Sequence, residues 1–284
     1  MAQEVVPRSL PLHNLTVHVD ERTGKAPAII LLHGLSMSGQ VWRKQLESEA
    51  LQEYHMISVE LPGHGSSSWS AAPATDYAIP GYARLLVELI PKLTNDKYIL
   101  LGYSLGGNAA IEALPALQNC IGLMAVNTAI TSKPAQLEAA FHPSPVLQTI
   151  FKEDADEEEL VNYAHAFFSA TNENLPNSLF TDFKDSDPKT RAVLAQSIQE
   201  GNHEDEVVIL KNTTVPVALV TGKEDRLGNK EFLKNLDVPK WNDTTIEVPD
   251  AGHMPQLENS EFFDDSLLRF IAHCKAQSEA RERS

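Results

Sequence analysis

Six short, predominantly apolar runs recur along the chain, and no other feature restricts its fold so strongly. They read APAIILLHG from Ala26, HMISVELPG from His55, KYILLGYS from Lys97, CIGLMAVNT from Cys120, VPVALVTG from Val215 and TTIEVPDAG from Thr244. A strand with one wet face alternates apolar and polar residues; a run such as APAIILLHG has no wet face and must be covered on both sides. Stretches with helical spacing separate most of the runs, which predicts an α/β fold with a mostly parallel central sheet flanked by helices. LPLHNLTVHVDERTG does alternate, around Leu15, Val17 and Val19, and predicts an edge strand or hairpin before the first buried strand. Ligands of such sheets bind beyond the carboxyl ends of the strands. The residues just after the runs, among them His33, Gly34, Ser104, Asp225 and His253, are therefore where chemistry is sought.

One interval breaks the alternation. Between Ala129 and Glu206 no strand-like run occurs, only helical patterns, the acidic run EDADEEE and loops such as TNENLPNS and FKDSDPK. This predicts a helical cap, or lid, at 129–206, inserted into a core domain formed by 1–128 and 207–284. Within it Leu160, Tyr163, Phe167 and Phe168 recur at helical spacing as one apolar stripe, which core packing explains as readily as ligand contact. The acidic run suits a helix start, where the macrodipole favours negative charge.

Composition narrows the functional classes. A chain of 284 residues can bury the core of one α/β domain with a smaller inserted lobe. No apolar stretch approaches the about 20 residues of a membrane span. The start MAQEVVPRSLPLHN lacks a basic opening followed by an apolar segment, so a cytoplasmic location is expected. A formal net charge of −16 without any cluster of Lys and Arg makes nucleic acid an unfavourable partner. Cys120 and Cys274 are expected to be buried or inert thiols, too few for a thiolate zinc site, and HNLTVHVD lacks the spacing of a metal cluster. No metal and no cofactor is expected, and nothing here sets an oligomeric state.

Gly102-Tyr103-Ser104-Leu105-Gly106 lies where the apolar run KYIL meets a helical pattern. A strand turning directly into a helix forces the intervening residue into a strained, exposed conformation, and small neighbours prevent collision. Ser104 would stand at a helix amino terminus, where free N–H groups favour developing negative charge. A serine hydroxyl needs a base to act as a nucleophile at neutral pH. Of the ten histidines, His253 in PDAGHMPQLE follows the last run and precedes a helical pattern. His13, His18, His55, His142, His165, His203 and His273 lack such a setting and read as structural or solvent-exposed. The imidazole in turn needs a carboxylate, and VPVALVTGKEDRL offers Glu224 and Asp225; Asp225 is preferred because only one of two neighbours at a strand end can face His253. Asp250 is a weaker alternative, read as a turn residue. The N–H groups of Leu105 and Leu35 are the candidate oxyanion donors, with Gly34 allowing close backbone approach and His33 bracing the loop.

HG at 33–34, LPGHGSS at 61–67, GYSLGG at 102–107, GKED at 222–225 and AGHMP at 251–255 together resemble the α/β-hydrolase superfamily with a helical cap, over nearly the whole chain. GYSLGGNAAIE, IGLMAVNTA, NYAHAFF and VTGKEDRL are most similar to the N-acyl-homoserine lactone hydrolases of that fold. The resemblance implies an α/β-hydrolase fold and a metal-independent serine hydrolase. It would open an ester or lactone through an acyl-enzyme, with Tyr163 of the cap reaching the substrate. Phe141, Phe167 and Phe168 would wall an apolar channel for the acyl group. Two departures stand out: Leu35 where a polar residue is often found, and Glu60 where Asp usually precedes Leu-Pro-Gly, the latter expected to change only loop bracing. The alternatives are a general carboxylesterase or carbon-carbon bond hydrolase with the same residues, and a ligand-binding receptor that keeps only the fold.

Overall fold

The computed structural model describes residues 4–170, 172 and 176–283. Thr171 and residues 173–175 of the loop TNENLPNS lie outside them. Each predicted run is a strand of one eight-stranded sheet: β1 (Val6–Leu12), β2 (Leu15–Arg22), β3 (Lys25–Leu32), β4 (Tyr54–Val59), β5 (Tyr98–Tyr103), β6 (Cys120–Val126), β7 (Val217–Gly222) and β8 (Thr245–Val248), in the order β1-β2-β4-β3-β5-β6-β7-β8. β2 pairs antiparallel with both β1 and β4, and every pairing from β4 to β8 is parallel. The alternating segment forms a full hairpin, and its first strand begins earlier than the pattern indicates, at Val6. Pro7 and Pro11 hide that strand in the sequence; an edge position tolerates them because the missing N–H faces no partner.

Covering both faces divides the side chains by parity. Ile29 and Leu31 of β3 enter one core and Ile30 and Leu32 the other; Met124 and Val126 of β6 separate likewise from Leu123 and Ala125. The helices Ile79–Leu93 and Leu105–Ala113 close the first face, with Leu86, Leu89 and Ala109 buried against it. The long helix Ser260–Glu282 closes the second through Phe263, Leu267 and Phe270. Cys120 and Cys274 are free thiols, and burial pushes both up to about 12.

Between β6 and β7 the described residues form helices and no strand: Leu137–Ala140, Val146–Phe151, Glu157–Phe167, Ser178–Asp185, Lys189–Gln199 and Glu206–Asn212. The acidic run does start a helix: Asp156 accepts from the Glu159 N–H at 2.9 Å, while the Glu159 carboxylate accepts from the Asp156 N–H at 3.2 Å. Glu206–Asn212 packs on Leu105–Ala113 and so belongs with the helices of the sheet. The others lie over the carboxyl edge, tied down by Arg191. Its Nη1 donates to Ser36 Oγ at 3.1 Å and to Ser186 Oγ at 2.7 Å, and its Nε and Nη2 donate to the carbonyls of Lys152 and Glu153, both at 2.6 Å. A second tie joins Ser38 Oγ to Asp182 Oδ2 at 2.8 Å. Both ties end on the loop that follows β3.

Candidate active site

Ser104 sits between β5 and the helix Leu105–Ala113 with φ 50° and ψ −120°. Its N–H donates to the Val126 carbonyl at 2.9 Å, and its carbonyl accepts from Gly107 and Asn108 at 2.8 and 3.2 Å, which holds the turn between strand and helix. The helix can start so close to β3 only because residue 106 has no side chain: a Cβ on Gly106 would lie 2.6 Å from the carbonyl oxygens of Leu32 and His33.

His253 follows β8. Its ring Nδ1 donates to Asp225 Oδ2 at 2.7 Å, which leaves Nε2 for a second partner. Asp225, after β7, is held by the N–H groups of Leu227 and Gly228, which donate to Oδ1 at 2.8 and 3.1 Å. These bonds fix the orientation of the carboxylate and the tautomer of the imidazole. The backbone of His253 is clamped as well: its N–H donates to the Phe167 carbonyl at 2.9 Å and its carbonyl accepts from Asn127 Nδ2 at 2.6 Å. The Phe167 ring meets the imidazole edge to face at 5.1 Å. Glu224, the neighbour of Asp225, is exposed, and Asp250 is an exposed turn residue at φ 53°.

On the loop after β3, His33 Nδ1 donates to the Gly34 carbonyl at 2.7 Å and Nε2 accepts from the Leu61 N–H at 2.9 Å. Burial pushes this imidazole down to about 4, so it stays neutral and braces the turn. Glu60 braces it from the other side, accepting from the N–H groups of Gly39 and Ser66 at 3.2 and 2.6 Å. At Gly34 a Cβ would come within 3.0 Å of the Tyr103 ring and 3.2 Å of Ser104 Cβ. Among the described residues neither the Leu35 nor the Leu105 N–H donates a hydrogen bond.

Ser104, Leu35, Leu105 and His253 line a single cavity together with the helices between β6 and β7, and its apolar wall includes Phe141, Leu147, Ile150, Phe151, Phe167 and Leu194. Tyr163, expected to reach the substrate, and Phe168, expected on that wall, do not line it. Tyr163 is 2% exposed, packed against the rings of Phe167 at 4.6 Å and Phe183 at 5.2 Å, and burial pushes its hydroxyl pKa up. Phe168 is buried beneath the His253 loop, its backbone against Gly252 and its carbonyl accepting from Arg226 at 2.7 Å. The stripe therefore packs as core, and only Phe167 of its aromatic residues reaches the cavity. Three polar residues that the sequence reading passed over also line it: Asn108, Thr131 and His203. Asn108 had a local signal, lying one turn after Ser104 on the same helix. His203, taken from the sequence as structural or solvent-exposed, is 3% exposed and reaches the wall only through tertiary folding.

Among the described residues no group of three or more His, Cys, Asp or Glu side chains is arranged to hold a metal ion. No helix of the described residues is long and apolar enough to cross a membrane.

A strained serine after β5, a histidine after β8 hydrogen-bonded to an aspartate after β7, and this strand order define a class. The chain belongs to the alpha/beta hydrolase family, whose model matches residues 29–265. It is similar to a pimeloyl-[acyl-carrier protein] methyl ester esterase of Methylococcus capsulatus, 24% identical over 259 residues that cover 89% of this chain and 97% of the relative. The enzyme of the same description from Nitrosomonas europaea is 27% identical over 260 residues, covering 87% and 96%. Among solved structures it resembles the N-acyl homoserine lactonase AidH complexed with N-butanoyl homoserine, with a TM-score of 0.89 and 26% identity over 95% of this chain and 97% of that one. The chain is thus a hydrolase of esterase type with esterase and lactonase neighbours.

Proposed function

We propose that the protein is a metal-independent serine hydrolase that opens carboxylic esters or lactones through an acyl-enzyme, with N-acyl-homoserine lactones as the substrate class that fits best. The observation that carries this reading is the strained Ser104 on the same cavity wall as His253, whose Nδ1–H donates to Asp225 at 2.7 Å. Ser104 Oγ attacks the carbonyl carbon while His253 Nε2 takes its proton. The oxyanion is held by the free N–H groups of Leu35 and Leu105, and Asp225 balances the imidazolium. Collapse breaks the acyl C–O bond, His253 returns the proton to the leaving alkoxide, and water repeats the sequence to release the acid. A lactone adds a constraint: the alcohol stays tethered to the acyl group, so water must reach the acyl carbon before the ring recloses.

Ester chemistry is common to the relatives, and the likeness in shape to a lactonase bound to N-butanoyl homoserine supports the lactone reading. The cap, proposed as residues 129–206, supplies Phe141, Phe151 and Phe167 for an acyl chain. Gly34 acts through backbone approach, and Tyr163 and Phe168 support the wall from behind. The deciding experiment follows acid release at constant pH from N-acyl-homoserine lactones and linear esters of matched acyl length. Ring opening by the wild type and none by Ser104→Ala is expected. Turnover of linear esters with none of lactones would leave a general carboxylesterase, the reading favoured by the sequence relatives.

A further inference from the structure

We infer that Asn108, Thr131 and His203 form a polar subsite in the cavity that selects substrates carrying a hydrogen-bond donor, a hydroxyl or an N–H, over plain alkyl ones. The inference rests on the reading of Ser104 as the nucleophile of an ester or lactone hydrolase.

Each residue of this patch has part of its bonding capacity already committed, and what is left over has one character. The two N–H groups of Asn108 Nδ2 are used, by the Ala129 carbonyl at 3.2 Å and by Glu206 Oε1 at 2.8 Å, so Oδ1 is the atom left for a ligand. Glu206 is itself buried and accepts from the Thr131 N–H through Oε2 at 3.0 Å, so one carboxylate orients both cavity residues. His203 Nδ1 donates to the Glu204 carbonyl at 2.9 Å, which leaves the lone pair on Nε2. That nitrogen is buried and has no partner among the described residues. A buried acceptor left unpaired is uncommon in a folded protein, and here it belongs to a residue that lines a cavity. The leftover atoms are thus two acceptors, Asn108 Oδ1 and His203 Nε2, beside the Thr131 hydroxyl. A neutral donor satisfies them, whereas a carboxylate is repelled.

The register of the helix sets where the donor must be. The Asn108 N–H bonds to the Ser104 carbonyl at 3.2 Å, one turn away. Four residues of helix rise about 6 Å, so the donor is carried a few bonds from the scissile carbonyl. The rest of the wall is largely apolar, which gives the patch its discriminating power: a plain chain leaves the buried His203 Nε2 unpaired, and a site built around such a group rejects the analogue that lacks the donor.

The test compares kcat/KM within two matched pairs of aryl esters, a plain acyl chain against the same chain with a 3-hydroxyl, and against one with an acylated 2-amino group. The wild type should favour at least one donor-bearing ester by about tenfold, the pair concerned telling hydroxyl from N–H. His203→Leu should bring that ratio down towards one, and His203→Gln, whose carbonyl can accept, should retain part of it. A wild-type ratio of one or below for both pairs, as when only water fills the patch, or a ratio unchanged in His203→Leu, overturns the inference. Binding of the same intact esters to Ser104→Ala reads the preference without turnover and without a His203 variant. If no ester is hydrolysed by the wild type, the hydrolase reading falls, and equal binding within both pairs then overturns the subsite separately.

Discussion

At the scale of single residues, the turn at Ser104 concentrates strain at the proposed nucleophile. A non-glycine residue at φ 50° costs of the order of 1–3 kcal/mol and persists because the strand before it and the helix after it are both over-determined. Alanine keeps the same backbone cost, so Ser104→Ala should melt within a few degrees of the wild type while kcat falls by about 10⁴ or more, as steady-state kinetics and calorimetry would report. Because a nucleophile and its base act as a unit, the proposed roles require His253→Ala to lose about as much. The two adjacent acids should part company: Asp225→Asn disturbs the tautomer of His253 and should cost about 10⁴ in kcat, whereas exposed Glu224→Gln should change little. Equal losses at both positions would refute the pairing.

Among the elements, the helices between β6 and β7 are held to the loop after β3 by polar ties as well as by apolar contact. Arg191 is 2% exposed, donates to five backbone and side-chain oxygens, and stacks its guanidinium 4.1 Å from the centre of the Phe183 ring. Arg191→Ala would strand those oxygens and should cost about 3 kcal/mol, with faster proteolysis between Lys152 and Gln199 than elsewhere in the chain. Uniform cleavage along the chain would show that the tie is not local. The same helices show how far local pattern reaches. The acidic run suggested a helix start, and Asp156 and Glu159 form a capping box there, because capping is settled within one turn of chain. Whether Tyr163 or Phe167 faces the cavity depends instead on how Glu157–Phe167 is rotated against Ser178–Asp185, which its own spacing leaves open.

Across the whole molecule, two buried carboxyls make stability depend on pH. Burial pushes Glu206 up to about 8 and Glu112 up to about 7, against an ordinary 4.5. A carboxyl whose folded pKa is raised holds its proton more tightly when folded, so its stabilising contribution is complete below about 4.5 and is lost as pH rises through 7 to 8. The melting temperature of the wild type should therefore fall relative to Glu206→Gln between pH 5 and pH 8. A gap between the two that stays constant over that range would contradict the assignment. Since the proposed reaction uses only side chains and backbone amides of this chain, lactone or ester hydrolysis should survive dialysis against a chelator; loss of activity restored by a divalent ion would contradict it.

The strands, their parallel pairing and the interruption by helices were legible in the amino-acid sequence, because a strand covered on both faces leaves an unbroken apolar run. Ser104, Asp225 and His253 could be selected in the same way, each lying just past a run, where a sheet of this kind brings its loops together. The hairpin's first strand was hidden by two prolines that only an edge position accommodates. What the tertiary structure alone decided concerns contacts between segments far apart in the chain: the hydrogen bond that joins Asp225 to His253, Tyr163 turned into the core, and His203 brought to the cavity wall beside Asn108. Hydrophobic periodicity reports whether a side chain is buried; which neighbour it meets is fixed by the packing of whole elements, and no local stretch encodes that.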